Sequence, residues 1–221
     1  MSYNGKFITF EGGEGCGKST QCALLAGALQ TLGAKVLQTR EPGGTEGAER
    51  IRELLLNKEH SWDAETEALL MFAARRDHVE KKIKPSLAKG EIVLCDRYVD
   101  SSMAYQGYAR GLGEIFVETL FTLTSAEVLP DLTILLDINP EEGLKRAKAR
   151  SAKPDTFEGQ SLAFHNQVRE GFLELAKAES GRIITIDAAD SVALVHSQIV
   201  EAVNRRFGLA AKPYETNPNA H

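Results

Sequence analysis

The sequence predicts an α/β fold, a five-stranded parallel sheet with helices on both faces. Three observations predict it. Five short apolar runs, at 6–10, 35–39, 91–95, 132–136 and 182–187, each have the length of a strand. Helical spacing of apolar side chains recurs between them, the alternation that builds parallel strands through crossover helices. The runs are also nearly continuous in apolar character, as expected of strands covered on both faces.

Phe7, Ile8 and Phe10 supply the bulk of the first strand. A glycine-rich turn follows, then a helix from Lys18 on which Leu25, Leu29 and Leu32 share a face. Gly33 suits its C-terminal cap. After the second strand comes a turn at Glu41-Pro42-Gly43-Gly44, and Thr45 caps a helix running to Leu56. A longer helix over 64–88 carries Leu69, Phe72, Arg76, Val79 and Ile83 on or near one face. The third strand ends at Asp96, and a polar, glycine-containing stretch at 98–113 precedes another helix. Past the fourth strand, Asn139-Pro140-Glu141-Glu142 starts a helix with a cap, a proline at the first position and acids in the first turn. A break at 151–154 leads to a helix over 158–178, the fifth strand, and a last helix carrying Val192, Val195, Ile199 and Val203. One domain over 1–208 is expected, with a short lid at about 148–158. The polar tail 209–221 is expected to be flexible.

The 221 residues suffice for one substantial core. A formal net charge of −5 argues against general nucleic-acid binding. Three scattered cysteines, Cys16, Cys22 and Cys95, form neither a disulfide framework nor a zinc pattern and suit a reducing, cytoplasmic setting. No apolar run approaches the roughly 20 residues of a membrane helix.

In sheets of this kind ligands bind beyond the carboxyl ends of the strands. Gly12-Gly13-Glu14-Gly15-Cys16-Gly17-Lys18-Ser19 lies there, between the first strand and the first helix, and matches the phosphate-binding pattern G-x-x-x-x-G-K-[ST]. Glycines let backbone N–H groups approach phosphates, and the helix N-terminus adds positive charge. Residues 12–20, Thr20 included, are the expected ATP-binding segment. Lys18 can neutralise the β and γ phosphates, and the Ser19 hydroxyl can bind Mg²⁺. Asp96, at the end of the third strand, faces this loop and suits the same ion, directly or through water. Arg97 beside it can grip a phosphate bidentately.

Two further segments narrow the class. Thr39-Arg40-Glu41-Pro42-Gly43-Gly44-Thr45 and Asp96-Arg97-Tyr98-Val99-Asp100-Ser101-Ser102-Met103-Ala104-Tyr105-Gln106, with the phosphate loop and Phe72-Ala73-Ala74-Arg75-Arg76, resemble the thymidylate kinase family. The resemblance runs in order from about Lys6 to Asp187. It implies a P-loop NTPase fold of the nucleoside monophosphate kinase type and transfer of phosphate from MgATP to dTMP. It implies that Arg97 binds the acceptor phosphate and that Arg40 and Pro42 shape the acceptor pocket. Spacing alone reads Phe72 as core; the resemblance makes it the platform for thymine, with Arg76 one turn on as donor to thymine O4. Arg75 reads equally as a structural arginine or a substrate contact. Tyr105 matches a position that crowds the sugar 2′ carbon, and Ser101, Ser102 and Gln106 offer hydrogen bonds to the base.

Glu14 is unexpected in a loop built for phosphates, because its charge repels them. The resemblance gives it a directional task, accepting a hydrogen bond from the acceptor's 3′-OH. The loop has no basic residue besides Lys18, which implies the mostly bacterial branch of the family, where a lid supplies the extra cation. Lys145, Arg146, Lys148, Arg150 and Lys153 crowd the lid region. They could also complement the dipole at a helix C-terminus. Arg150 is the favoured catalytic residue, with Lys153 and Arg169 as alternatives. Where the family often has Asp-Arg-x-Glu, this chain has Asp155-Thr156-Phe157-Glu158.

The expected catalytic set is Lys18, Asp96, Arg97 and Arg150, with ATP and dTMP as ligands and a homodimer, through helices, implied by the family. The rival readings are another nucleoside monophosphate or deoxynucleoside kinase of the same fold, and a P-loop switch, for which acceptor-side residues have no purpose.

Overall fold

The computed structural model describes residues 4–57, 59, 61–150, 157 and 159–213. Its centre is β1 (Lys6–Glu11), flanked by β3 (Ile92–Asp96) and β4 (Leu132–Asp137), with β2 (Val36–Arg40) and β5 (Ile183–Asp187) at the edges. The order is β2-β3-β1-β4-β5, and every pairing is parallel. The expected five strands are thus present. Only β1, β3 and β4 are buried almost throughout. β5 mixes buried and exposed positions and β2 has only half-buried and exposed ones, because an edge strand has a neighbour on one side only.

The register sets up the functional edge. Phe10 and Arg40 both align with Asp96, Glu11 aligns with Leu135, and Asp137 aligns with Asp187. All five strands therefore end in a charged residue at the same, carboxyl edge of the sheet, with Asp137 and Asp187 reaching three residues beyond the level of Arg40 and Asp96. Chain order reverses beside β1, so the loop after β1 opens into the crevice at the switch point.

Helices α1 (Lys18–Gln30) and α9 (Val192–Phe207) cover one face. Leu25, Leu29, Ile199 and Val203 pack there on Ile8, Phe10 and Ile134. Leu32 lies beyond α1 and is 47% exposed, outside the face it was expected to share. The other face holds α3 (Ala64–His78) and α6 (Glu114–Thr124) over Phe7, Val93 and Cys95. Phe7 and Tyr98 meet edge to face, with ring centroids 5.0 Å apart.

Three local differences from the sequence reading have physical causes. The expected 64–88 helix is interrupted by a π-helical turn, Val79–Ile83, before α4 (Lys84–Ala88). Pro85 in the first turn of α4 lacks the N–H that a continuous helix would use, and the widened turn precedes it. The 98–113 stretch, read as polar and glycine-containing, is helical over most of its length. It forms α5 (Val99–Ser102) and a π-helical segment, Met103–Ala109, because its buried polar side chains find partners on other elements. The helix expected from 158 is α8 (Leu162–Ala178), which begins where the Ser161 hydroxyl accepts from Phe164 N.

Thr45 caps α2 (Glu46–Leu56) as read, and α7 (Pro140–Arg150) starts at the Asn139-Pro140 signal. Leu209–Ala211, taken as the start of a flexible tail, are instead pinned to α9. Asn204 bonds both the carbonyl and the N–H of Ala211, which is buried. Residues 214–221 lie outside the described residues.

Candidate active site

The turn from β1 into α1 is shaped by glycine. Gly15 has φ 68°, and a Cβ there would lie 1.9 Å from the Gly143 carbonyl of α7, so no larger residue fits. Gly17 caps α1 at φ 93° without any side-chain acceptor for the first-turn N–H groups. Those donors remain for an anion, which the helix dipole also favours.

Lys18 is 7% exposed, and its ammonium curls back over the loop, donating to the carbonyls of Gly12 and Gly13 at 3.1 and 2.7 Å. Cys16 Sγ lies 3.4 Å from the same nitrogen, and the Cys16 side chain is otherwise in the core. Ser19 Oγ donates to Asp96 Oδ2 at 2.6 Å, joining the loop to the end of β3. Thr20 is exposed on α1 and does not border the cavity beside the loop.

That cavity has a volume of about 300 Å³. Glu14, Lys18, Ser19, Asp96 and Arg97 line its end nearest the glycine loop. Pro42, Arg40, Ser101, Ser102, Tyr105 and Gln106 line the remainder, so the structure brings most of the expected residues together.

Arg97 is the pivot between the two ends. Its backbone adopts φ 69°, rare for a residue with a side chain, and its N–H bonds Phe10 O at 2.9 Å. The guanidinium donates to Gly12 O at 2.9 Å, to Ser101 Oγ at 3.2 Å and to Glu14 Oε1 at 2.7 Å. It also lies over the Tyr105 ring, whose hydroxyl donates to the same Glu14 oxygen at 2.7 Å. Burial alone would raise the Glu14 carboxyl. The Arg97 and Lys18 charges and the Tyr105 hydroxyl outweigh it and hold the group at about 2.

Behind this pair stands Glu11, fully buried. It accepts from Tyr98 N at 2.7 Å and from Ser101 Oγ at 2.5 Å, which fixes the segment bearing Arg97. Burial and the neighbouring Asp100 raise its carboxyl to about 7, against the pull of these hydrogen bonds.

Two expectations for α3 need correction. Phe72 is 1% exposed and packs in the core with Phe7 and Tyr98, and Arg76 is on the surface with Glu80 and Glu127. Neither borders the cavity. The cavity-lining residues of α3 are Met71 and Arg75. Each is one position earlier, which rotates the face by about 100° on a helix. Arg75, left open between a structural and a substrate role, is 3% exposed. It bonds Glu41 at 2.7 Å, Ser102 Oγ at 3.1 Å and Tyr98 O at 3.0 Å. His78 extends this network from Glu41 to Thr39. A buried carboxylate thus holds Arg75 at the cavity wall.

The two serines also serve the protein: Ser102 receives Arg75, and Ser101 bridges Glu11 and Arg97. Arg40 is exposed and pairs with Glu49 at 3.1 Å, and Pro42 O accepts from Arg52 at 2.8 Å. Glu41, Arg52, Met71 and Tyr98 line the cavity without having been singled out as its residues, and Arg75, left open, joins them. The only signal for Glu41 and Tyr98 was their place inside the quoted motifs.

The lid expectation falls largely on residues that are not described. The Arg150 side chain, Lys153, Asp155, Thr156 and Glu158 lie outside the described residues. Of the others, Arg146 is tied to Glu142 and to the Ala188 carbonyl, and Arg169 holds Asp137 through two bonds of 2.7 and 2.8 Å. Phe157 lines the cavity and meets the Tyr105 ring edge to face.

A glycine-cradled anion site at a helix N-terminus, sharing one cavity with a second set of buried polar groups, defines a P-loop phosphotransferase. A family model described as thymidylate kinase matches residues 10–199. Thymidylate kinase of Magnetococcus marinus is 48% identical over 204 residues, 92% of this chain and 97% of that protein. That of Caulobacter vibrioides is 48% identical over 206 residues, 93% of this chain and 99% of that protein. The crystal structure of thymidylate kinase from Ehrlichia chaffeensis superposes with a TM-score of 0.75 at 35% identity, covering 90% of this chain and 98% of that one. The chain belongs to the thymidylate kinase family.

Proposed function

We propose that this protein transfers the γ-phosphoryl group of MgATP to the phosphate of dTMP, giving ADP and dTDP. One observation carries the reading most directly: Glu14, inside the phosphate loop, is bonded by both Arg97 and Tyr105 of the opposing segment. Donor loop and acceptor pocket therefore share a wall.

The attacking oxygen belongs to an ionised phosphate, so the reaction needs no strong base. Positioning and charge neutralisation remain. In this reading the first-turn N–H groups of α1 and Lys18 hold the β and γ phosphates. Arg97 moves its guanidinium from Glu14 toward the acceptor phosphate. Glu14 then accepts from the sugar 3′-OH, for which its ionised state suits it. Tyr105 closes the space beside the sugar 2′ carbon, while Met71 and Arg75 flank the base and Gln106 meets it. Arg40 and Pro42 shape the pocket mouth, and residues 148–158, with Arg150, form a lid that excludes water.

The Ser19 hydroxyl and Asp96 carboxylate, 2.6 Å apart beside Lys18, are hard oxygen donors suited to Mg²⁺. Among the described residues no group of three or more His, Cys, Asp or Glu could hold a metal, so phosphate and water oxygens would complete the shell. Held by Ser19 and Asp96, a bound Mg²⁺ would neutralise charge on the nucleotide's phosphate oxygens.

Among the described residues no helix is long and apolar enough to cross a membrane. The three free, buried thiols support a reducing compartment, the cytoplasm. The neighbouring helices α3 and α6 expose Leu69, Ile115 and Leu123, which supports a homodimer through this surface. Residues 1–208 are read as one kinase domain.

Steady-state turnover with MgATP and each of dTMP, dUMP, dCMP and thymidine tests the assignment. dTMP should have the highest kcat/KM. A better acceptor among the others would replace dTMP, and ATP hydrolysis without any acceptor product would replace the kinase reading.

A further inference from the structure

We propose that Glu67 sets the base preference of the acceptor pocket by fixing which end of the Gln106 amide faces the cavity. The inference rests on the reading of that cavity as the acceptor site.

Glu67 lies in the first turn of α3 and is 4% exposed. Its Oε1 accepts from Gln106 Nε2 at 3.0 Å and from Arg110 Nε at 3.3 Å, and its Oε2 accepts from Arg110 Nη2 at 3.0 Å. A carboxylate paired with a guanidinium offers acceptors only. The amide can meet it only through the NH₂ group. Reversal would set oxygen against oxygen in a buried site. The Gln106 backbone is also fixed, since its carbonyl accepts from Leu112 N at 3.1 Å. Gln106 nevertheless borders the cavity. With its nitrogen held by Glu67, the carbonyl oxygen is the end that remains for a ligand.

A fixed acceptor discriminates between bases. Thymine and uracil carry a ring N–H that can donate to it. Cytosine has a lone pair at the matching ring nitrogen and would repel it. A site whose buried polar group would be left unpaired rejects the wrong ligand far more strongly than an apolar wall does. Glu67 need not touch the nucleotide; it acts through Gln106 as a positioning residue.

The test compares kcat/KM for dTMP and dCMP in the full chain. Glu67→Gln keeps the shape and an acceptor for Arg110 but adds an NH₂ group, so Gln106 can present either end. The dTMP-to-dCMP ratio should fall by about tenfold or more. A ratio unchanged from the parent protein, with both substrates equally affected, would show a structural role only and overturn the inference. Gln106→Ala should lower the ratio as well, and Glu67→Gln added to it should change the ratio no further. An unaltered ratio in Gln106→Ala overturns the inference even if Glu67→Gln does not fold. Failure of the parent protein to use dTMP would instead overturn the acceptor-site reading itself.

Discussion

Arg97 donates to Glu14 at 2.7 Å across the phosphate loop, 83 residues apart in sequence. The pair is largely shielded from water, with side-chain exposures of 17% and 14%. It holds the guanidinium at the cavity wall beside Lys18, Ser19 and Asp96, with a carboxylate as its partner.

Arg97→Ala should lower kcat by about 10²–10³-fold, the usual effect of removing one donor to developing transition-state charge. Binding of ATP, measured by calorimetry, should change little, because the glycine loop and Lys18 remain. Unchanged turnover would remove Arg97 from the reaction.

The same pair makes stability depend on acid. The Glu14 carboxyl falls from 4.5 to about 2 on folding. A depressed carboxylate contributes stability that is present above its unfolded value and lost as pH drops from about 4.5 toward 2. By linkage this amounts to on the order of 3 kcal/mol. The midpoint of urea unfolding should therefore fall less between pH 6 and pH 3 in Glu14→Gln than in the parent protein. Equal falls would show that Glu14 is not held ionised by its neighbours.

Adjacent residues on α3 should separate core from pocket. Phe72→Ala should cost about 3–5 kcal/mol of stability, with little change in the KM for dTMP of the protein that remains folded. Met71→Ala, at a half-buried position on the cavity, should cost less stability and raise that KM severalfold. The opposite pattern would restore Phe72 as the platform.

Tyr105 packs edge to face with Phe157, Phe164 and Phe172, so its ring is firmly placed. Tyr105→Ala should raise kcat/KM for the ribonucleotide relative to dTMP by about tenfold or more. An unaltered deoxy preference would refute the steric account.

The sequence by itself determined the sheet, the phosphate loop and the family. Strand-length apolar runs and a glycine pattern at fixed spacing are local signals, and local sequence carries them completely. It also placed Asp96 and Arg97 at the working edge, because the carboxyl ends of parallel strands lie along one edge of the sheet, whereas Tyr105 came from the resemblance. Which face of α3 meets the cavity was decided only in three dimensions. Met71, Phe72, Arg75 and Arg76 differ by about 100° per residue around the helix, and apolar and basic types occur on both faces. The choice was made by Phe7 and Tyr98 drawing Phe72 into the core, and by Glu41 drawing Arg75 inward. The link from Glu67 to Gln106, like that from Glu11 to Ser101, is long-range pairing of buried polar groups. Burial demands a partner for each such group, and only the packed chain names it.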